Sequence, residues 1–162
     1  MPHNQATSWQ LKMRLPGAVL ALQCDEYAIW KTHYLSLRNA ELPPQNALAA
    51  EAARQLRAYL RRPRGHHFDL PLAAATTAFQ RKVRAIVQSL AGGQVATYSG
   101  IAQQAYSAPR AVGGACRANR VPLLVPCHRV VAQSGVGGFM GDSGSHRLDI
   151  KRQLLRHEGV NY

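Results

Sequence analysis

Cys127 stands in the run Val125-Pro126-Cys127-His128-Arg129-Val130-Val131, 31 residues before Glu158. A thiol with an ordinary pKa of ~8.5 is weakly ionised at neutral pH, so a nucleophilic cysteine needs a base or a positive field beside it. His128 and the nearby arginines are candidates for both. A carboxylate at a helix C-terminus is locally unfavourable, which suggests that Glu158 serves something else. A Glu–His–Cys relay would meet that need: the carboxylate orients the imidazole, and the imidazole takes the thiol proton, directly or through a water. Each member also has a plainer reading. Cys127 fits an inert buried cysteine, His128 a satisfied core histidine and Glu158 a simple helix-end residue.

Several elements are needed to hold such a set. Residues 18–23 and 27–35 read as strands joined across Asp25-Glu26. Asn46 is placed to cap a helix running to about Arg61, with Leu48, Ala52, Leu56, Tyr59 and Leu60 as its apolar stripe and Pro63 beyond its end. His67-Phe68-Asp69-Leu70 suits a further short strand. Thr77-Ala78-Phe79-Gln80 has the form of a capping box, opening a helix with Phe79, Val83, Ile86, Val87 and Leu90 on one face that ends at Gly92-Gly93. A helix-turn-helix follows: Tyr98 to about Ala105, then Arg110 to Ala118, with Ser107 as cap near Pro109. The second helix is unusually small (Ala111, Gly113, Gly114, Ala115, Ala118), which permits close approach either to another helix or to DNA. Arg110 and Arg117 favour DNA. Val130-Val131 reads as a short buried strand, a glycine-rich loop spans 135–144, and a last helix runs from about His146 to His157 before Gly159. The fold class expected is α+β, with an N-terminal scaffold domain (1–72) and a mainly helical C-terminal domain (76–162).

The 162 residues carry 20 Lys+Arg against eight Asp+Glu, a net charge of +12, and 46% are apolar. The excess is uneven: from Thr76 onward eleven basic residues face three acidic ones, before it nine face five. A polyanionic partner is the natural implication, nucleic acid before membrane, although basicity can also serve solubility alone. Three widely spaced cysteines without a C-x-x-C argue against a disulfide framework and for a reducing compartment. With no signal peptide and no long apolar run, a cytoplasmic protein without membrane association is expected. Cys24 with His33, His66 or His67 has poor spacing for zinc, so no metal is expected.

Residues 77–159 resemble the catalytic domain of the O6-alkylguanine-DNA alkyltransferases (methylated-DNA–protein-cysteine methyltransferases). The matching stretches are Gly93-Gln94-Val95-Ala96-Thr97-Tyr98, Arg110-Ala111-Val112-Gly113-Gly114-Ala115, Asn119, Val125 to Val131 and Leu154-Leu155-Arg156-His157-Glu158-Gly159, in family order. The resemblance implies a ribonuclease H-like N-terminal scaffold and a stoichiometric activity. An alkylated guanine is extruded from double-stranded DNA, and its alkyl group passes irreversibly to Cys127, with no cofactor. By the same resemblance Arg110 fills the vacated stack. Tyr98 crowds the 3′ phosphate and donates a proton toward guanine N3, Asn119 braces the active-site turn, and His128 and Glu158 activate the thiol. Ala111, Gly113, Gly114, Arg117 and Arg129 fall on the DNA-binding side, entered from the minor groove. Backbone groups at Cys127 and Val130 read the guanine edge. Val130 and Met140 line the pocket, and the protein acts as a monomer. The chain departs from the family between Cys127 and Glu158, where it is about four residues longer. Phe139-Met140 stand where a tyrosine and a small residue are usual. O4-alkylthymine is a further substrate class the resemblance leaves open.

Three other functions are weaker. A non-enzymatic alkylguanine-binding protein of this fold would replace the nucleophile, and Cys127 is present. A helix-turn-helix regulator leaves Cys127, His128 and Glu158 idle. A cysteine hydrolase lacks any oxyanion-hole signature.

Overall fold

The computed structural model describes residues 8–138 and 145–162. Its first layer is an antiparallel meander of β1 (Leu11–Leu15), β2 (Ala18–Cys24) and β3 (Ile29–Leu35), in the order β1-β2-β3. β2 is central and buried on both faces at nearly every position, whereas β1 and β3 alternate, as edge strands with one wet face do. β1 was not predicted, yet Leu11, Met13 and Leu15 alternate with Lys12 and Arg14 in strand period. The β2–β3 turn is closed by Asp25, whose Oδ1 accepts from the N–H groups of Tyr27 (2.7 Å) and Ala28 (2.8 Å).

α1 (Ala47–Arg61) packs its Ala49, Ala52, Leu56 and Tyr59 into the core. Asn46 caps it as expected, its Oδ1 accepting from Ala49 N–H at 2.8 Å. The strand expected at 67–70 is extended coil instead. Gln55 of α1 supplies what a strand partner would have: its amide donates to Asp69 O and its Oε1 accepts from Asp69 N–H, both at 2.8 Å. Strand-like pairing survives there only as a bridge from Ile29 to Leu72.

α2 (Ala78–Gln88) begins at Thr77, whose hydroxyl accepts from Gln80 N–H at 3.0 Å. The capping box is half made, because Gln80 Oε1 accepts from the Thr76 hydroxyl (2.7 Å) rather than from the cap backbone. The helix stops at Ser89, before the predicted Gly92-Gly93. Gly92 is required by close approach: a Cβ there would lie 1.7 Å from Pro63 O, where reciprocal backbone bonds tie 65–66 to 92 (2.8 and 3.2 Å).

α3 (Tyr98–Gln104) and α4 (Pro109–Arg117) form the helix-turn-helix. Ser107 does not cap α4. Ala108 holds that position without a side-chain bond, and Pro109 at the first turn presents no N–H to satisfy. β4 (Ala96–Thr97) pairs in parallel with β5 (Val130–Val131), placing the start of α3 beside the segment that follows Cys127. α5 (Ser145–His157) buries Ile150, Leu154 and Leu155. The N-terminal and C-terminal halves meet through Thr32, which donates to Pro122 O at 2.7 Å, and through Tyr59 beneath the site.

Candidate active site

Cys127 opens a single 3₁₀ turn, Cys127–Arg129, between Pro126 and β5. Ahead of it the chain is tightly braced. Asn119 Oδ1 accepts from Val121 N–H (3.0 Å), while its Nδ2 donates to Val125 O (3.0 Å) and to Cys127 Sγ (3.3 Å). Inside this brace Leu123 is held at φ 74°, a left-handed conformation that a buried leucine keeps only when its surroundings over-determine it. The thiol is thus positioned by strain and hydrogen bonds, and it is 8% exposed.

Beneath the turn lies a buried charge cluster. Glu158 is fully buried, and its Oε2 accepts from Tyr59 OH (2.6 Å) and His128 Nε2 (2.6 Å). Arg129 donates from Nε to Oε1 (2.7 Å) and from Nη2 to Oε2 (3.2 Å). Burial alone would raise the carboxyl pKa, but His128 and the guanidinium of Arg129 hold it well below the usual range. Because the carboxylate only accepts, His128 carries its hydrogen on Nε2. Burial pushes the imidazole pKa down despite Glu158, which keeps it neutral and leaves a lone pair on Nδ1. That Nδ1 is buried and has no hydrogen-bond partner among the described residues. An unsatisfied buried imidazole nitrogen on the residue after Cys127 is a candidate proton acceptor.

Two groups near the thiol were not anticipated. Cys116, on α4, is a close neighbour of Cys127. That contact first, and burial second, push the Cys127 thiol well up, while Cys116 is lowered. Lys151 is fully buried and donates to Val130 O and Gly138 O, each at 2.7 Å, with its ammonium 5.9 Å from the Tyr98 ring centre. Burial pushes its pKa down to about 8. A signal for it existed: Lys151 sits on the inward stripe of α5, three residues after Leu148, three before Leu154 and seven before Glu158.

Tyr98, at the first position of α3, is half-buried and donates to Gly138 O at 3.3 Å. Burial raises its pKa to about 12, so the phenol remains a proton donor. Gly137 permits this contact, since at φ 75° a Cβ would come within 3.1 Å of the Tyr98 ring. Val130 is fully buried, its N–H bonded to Cys127 O and its carbonyl to Lys151. Met140 lies outside the described residues, as does Phe139.

Arg110, Ala111, Gly114 and Arg117 are exposed along α4. A Cβ added at Gly113 or Gly114 would meet nothing within 4 Å, so these glycines do not serve packing against a neighbouring helix, and the small face of α4 is open. Arg129 is a correction. Expected at the DNA surface, it is 1% exposed, and its guanidinium is committed to Glu158 and to Leu90 O (2.8 Å). A buried carboxylate demands a countercharge, and Arg129 is the one within reach.

Residues 78–160, about half the chain, match the family described as 6-O-methylguanine DNA methyltransferase, DNA binding domain. The chain belongs to that family. A methylated-DNA–protein-cysteine methyltransferase of Archaeoglobus fulgidus is 36% identical over 119 residues, covering 73% of this chain and 80% of that protein. The one from Metallosphaera sedula is 42% identical over 91 residues, 56% of this chain and 55% of its own length. For the Metallosphaera sedula protein and several similar relatives, the chain spans only about half to two thirds of their length. Among solved structures, Mycobacterium tuberculosis OGT in complex with DNA superposes with a TM-score of 0.71 at 27% identity, covering 91% of both chains. The family fold is therefore present across nearly the whole chain. Among the described residues no helix is long and apolar enough to cross a membrane.

Proposed function

We propose that this protein repairs DNA by moving an alkyl group from O6 of guanine to Cys127, once per chain. The observation that carries the reading is the buried Glu158–His128 pair with its unpartnered Nδ1, on the residue that follows Cys127 in the chain. In the proposed reaction His128 Nδ1 takes the Cys127 proton, directly or through a water, and Glu158 stabilises the imidazolium that forms. The thiolate sulfur then attacks the alkyl carbon. The carbon–oxygen bond breaks, and its electron pair leaves with guanine. Tyr98 donates toward N3 to neutralise that charge, a role its raised pKa suits. The product is a thioether, which water does not hydrolyse, so no second turnover follows.

Reaching a base inside a duplex requires extrusion. Exposed Arg110 at the start of α4 is proposed to occupy the gap, with Ala111, Gly113, Gly114 and Arg117 lying along the minor groove. That the similar Mycobacterium tuberculosis OGT has been solved in complex with DNA supports a DNA partner. Asn119 is proposed as the brace that holds sulfur toward the pocket, and Val130 as part of its wall. The division into domains 1–72 and 76–162, with the meander and α1 as a ribonuclease H-like scaffold, belongs to the same reading, as do action as a monomer and a cytoplasmic location.

The test is duplex DNA carrying O6-[methyl-³H]guanine. At most one label per chain is expected, on Cys127, with none in Cys127→Ala. Label transfer that survives Cys127→Ala would overturn the assignment.

A further inference from the structure

Tyr106 sits in the turn between α3 and α4 at φ 53°, a left-handed conformation that glycine adopts freely and a tyrosine does not. The strain serves no core, because the side chain is 92% exposed. The turn itself is fixed: Tyr106 N–H bonds Gln103 O (3.3 Å), and Ser107 N–H bonds Ala102 O (2.9 Å). The ring is therefore presented outward by a rigid support. Lys82, from the exposed face of α2, places its ammonium 5.1 Å from the ring centre. An aromatic hydroxyl and a cation are thus held together at one spot. Every residue from Tyr106 to Ala111 is exposed, so that spot is continuous with Arg110 and the open face of α4, and Arg81 adds a further exposed cation. Strain that persists at an exposed residue, where packing gains nothing from it, is characteristic of a binding position.

We infer that Tyr106 and Lys82 form a second DNA contact, gripping the sugar–phosphate backbone beside the stretch that α4 covers. The Tyr106 hydroxyl donates to a phosphate oxygen, and the Lys82 ammonium pairs with the same or the adjacent phosphate. A phosphate backbone fits because the spot offers a donor and a charge but no apolar pocket, and the surrounding side chains are cationic. The contact reads no sequence. It holds the duplex in register while the lesion is extruded. This inference rests on the proposed alkyltransferase reading.

The test compares binding of a methylated duplex, by fluorescence anisotropy across a salt series, with thermal melting of the same variants. Tyr106→Gly relieves the left-handed strain, so it is expected to melt at the wild-type temperature or above while its Kd for the duplex weakens about tenfold. Tyr106→Phe, lacking only the hydroxyl, weakens it about fivefold. Lys82→Ala lowers the slope of log K against log[salt] by about one, the signature of one lost phosphate contact. Wild-type affinity in Tyr106→Gly would overturn the inference, as would a lowered melting temperature, because the side chain would then serve the fold. Wild-type affinity in Tyr106→Phe would overturn the hydroxyl–phosphate bond. Methyl transfer by the wild type is measured alongside: its absence would instead defeat the alkyltransferase reading.

Discussion

Replacing Glu158 by Gln tests the buried cluster more directly than any change to the thiol. Four donors converge on this carboxylate: Tyr59 OH, His128 Nε2, and Nε and Nη2 of Arg129. A carboxamide offers one acceptor oxygen and an NH2 that must face a donor. The least costly arrangement turns the NH2 toward Arg129 Nε and keeps the oxygen for the other three. Even so, a guanidinium that is 1% exposed loses its countercharge. Breaking one partner of a buried ion pair costs about 3–5 kcal/mol, against a typical total stability of about 5–15 kcal/mol. The variant should fold, with a urea midpoint far below wild type at pH 7. The pH dependence follows from linkage. Glu158 has a folded pKa held below its ordinary value of 4.5, so its stabilisation is complete above that value. It fades as pH falls from about 4.5 toward the depressed folded value. The gap between wild type and Glu158→Gln should therefore narrow from pH 7 to pH 3. Thiol alkylation of Cys127 should also slow, because His128 loses the anion that favours its protonated form. Urea titrations at pH 7, 5 and 3, with iodoacetamide labelling, measure both. A loss under about 1 kcal/mol at pH 7, or a gap that does not change with pH, would refute the argument that Glu158 is an ionised keystone.

Cys116→Ala removes the neighbour that most raises the Cys127 pKa, so the labelling–pH profile should move to lower pH, and an unmoved profile would show that burial alone sets it. Asn119→Ala frees the turn that strains Leu123 and deletes three hydrogen bonds, lowering stability by about 1–3 kcal/mol by thermal melting and loosening Cys127. Arg129→Ala and Arg110→Ala should separate cleanly. The first should cost about 3 kcal/mol or more of stability. The second should stay within about 0.5 kcal/mol of wild type in melting while weakening lesion-dependent DNA binding. A marked loss of stability in Arg110→Ala would remove it from the DNA face. Duplex affinity should fall steeply with added salt if the exposed cations of α4 meet phosphates, and a flat response would contradict that contact.

The parts legible in the chain are those whose interactions close within a few residues. Asn46 caps α1 and Thr77 caps α2 because donor and acceptor are three residues apart. The apolar run of β2, the β-branched and aromatic residues of β3 and the stripe of α1 are local patterns, and the Pro126-Cys127-His128 run marked a candidate nucleophile by residue type. The segment at 67–70 misled because the pairing it wanted came from Gln55 on α1, and no local pattern records that.

Residue type and spacing alone therefore nominated the residues that could react, and marked where most helices start and that the chain is basic. Only the tertiary fold decided which charges meet. Arg129 looked like a DNA contact until Glu158, 29 residues later, was packed beneath it, and Lys151 became part of the site when α5 laid it under Val130 and Gly138. The physical reason is burial. Desolvation makes an unpaired charge prohibitively costly, so the destination of each ionic side chain is set by whichever partner the fold brings within reach.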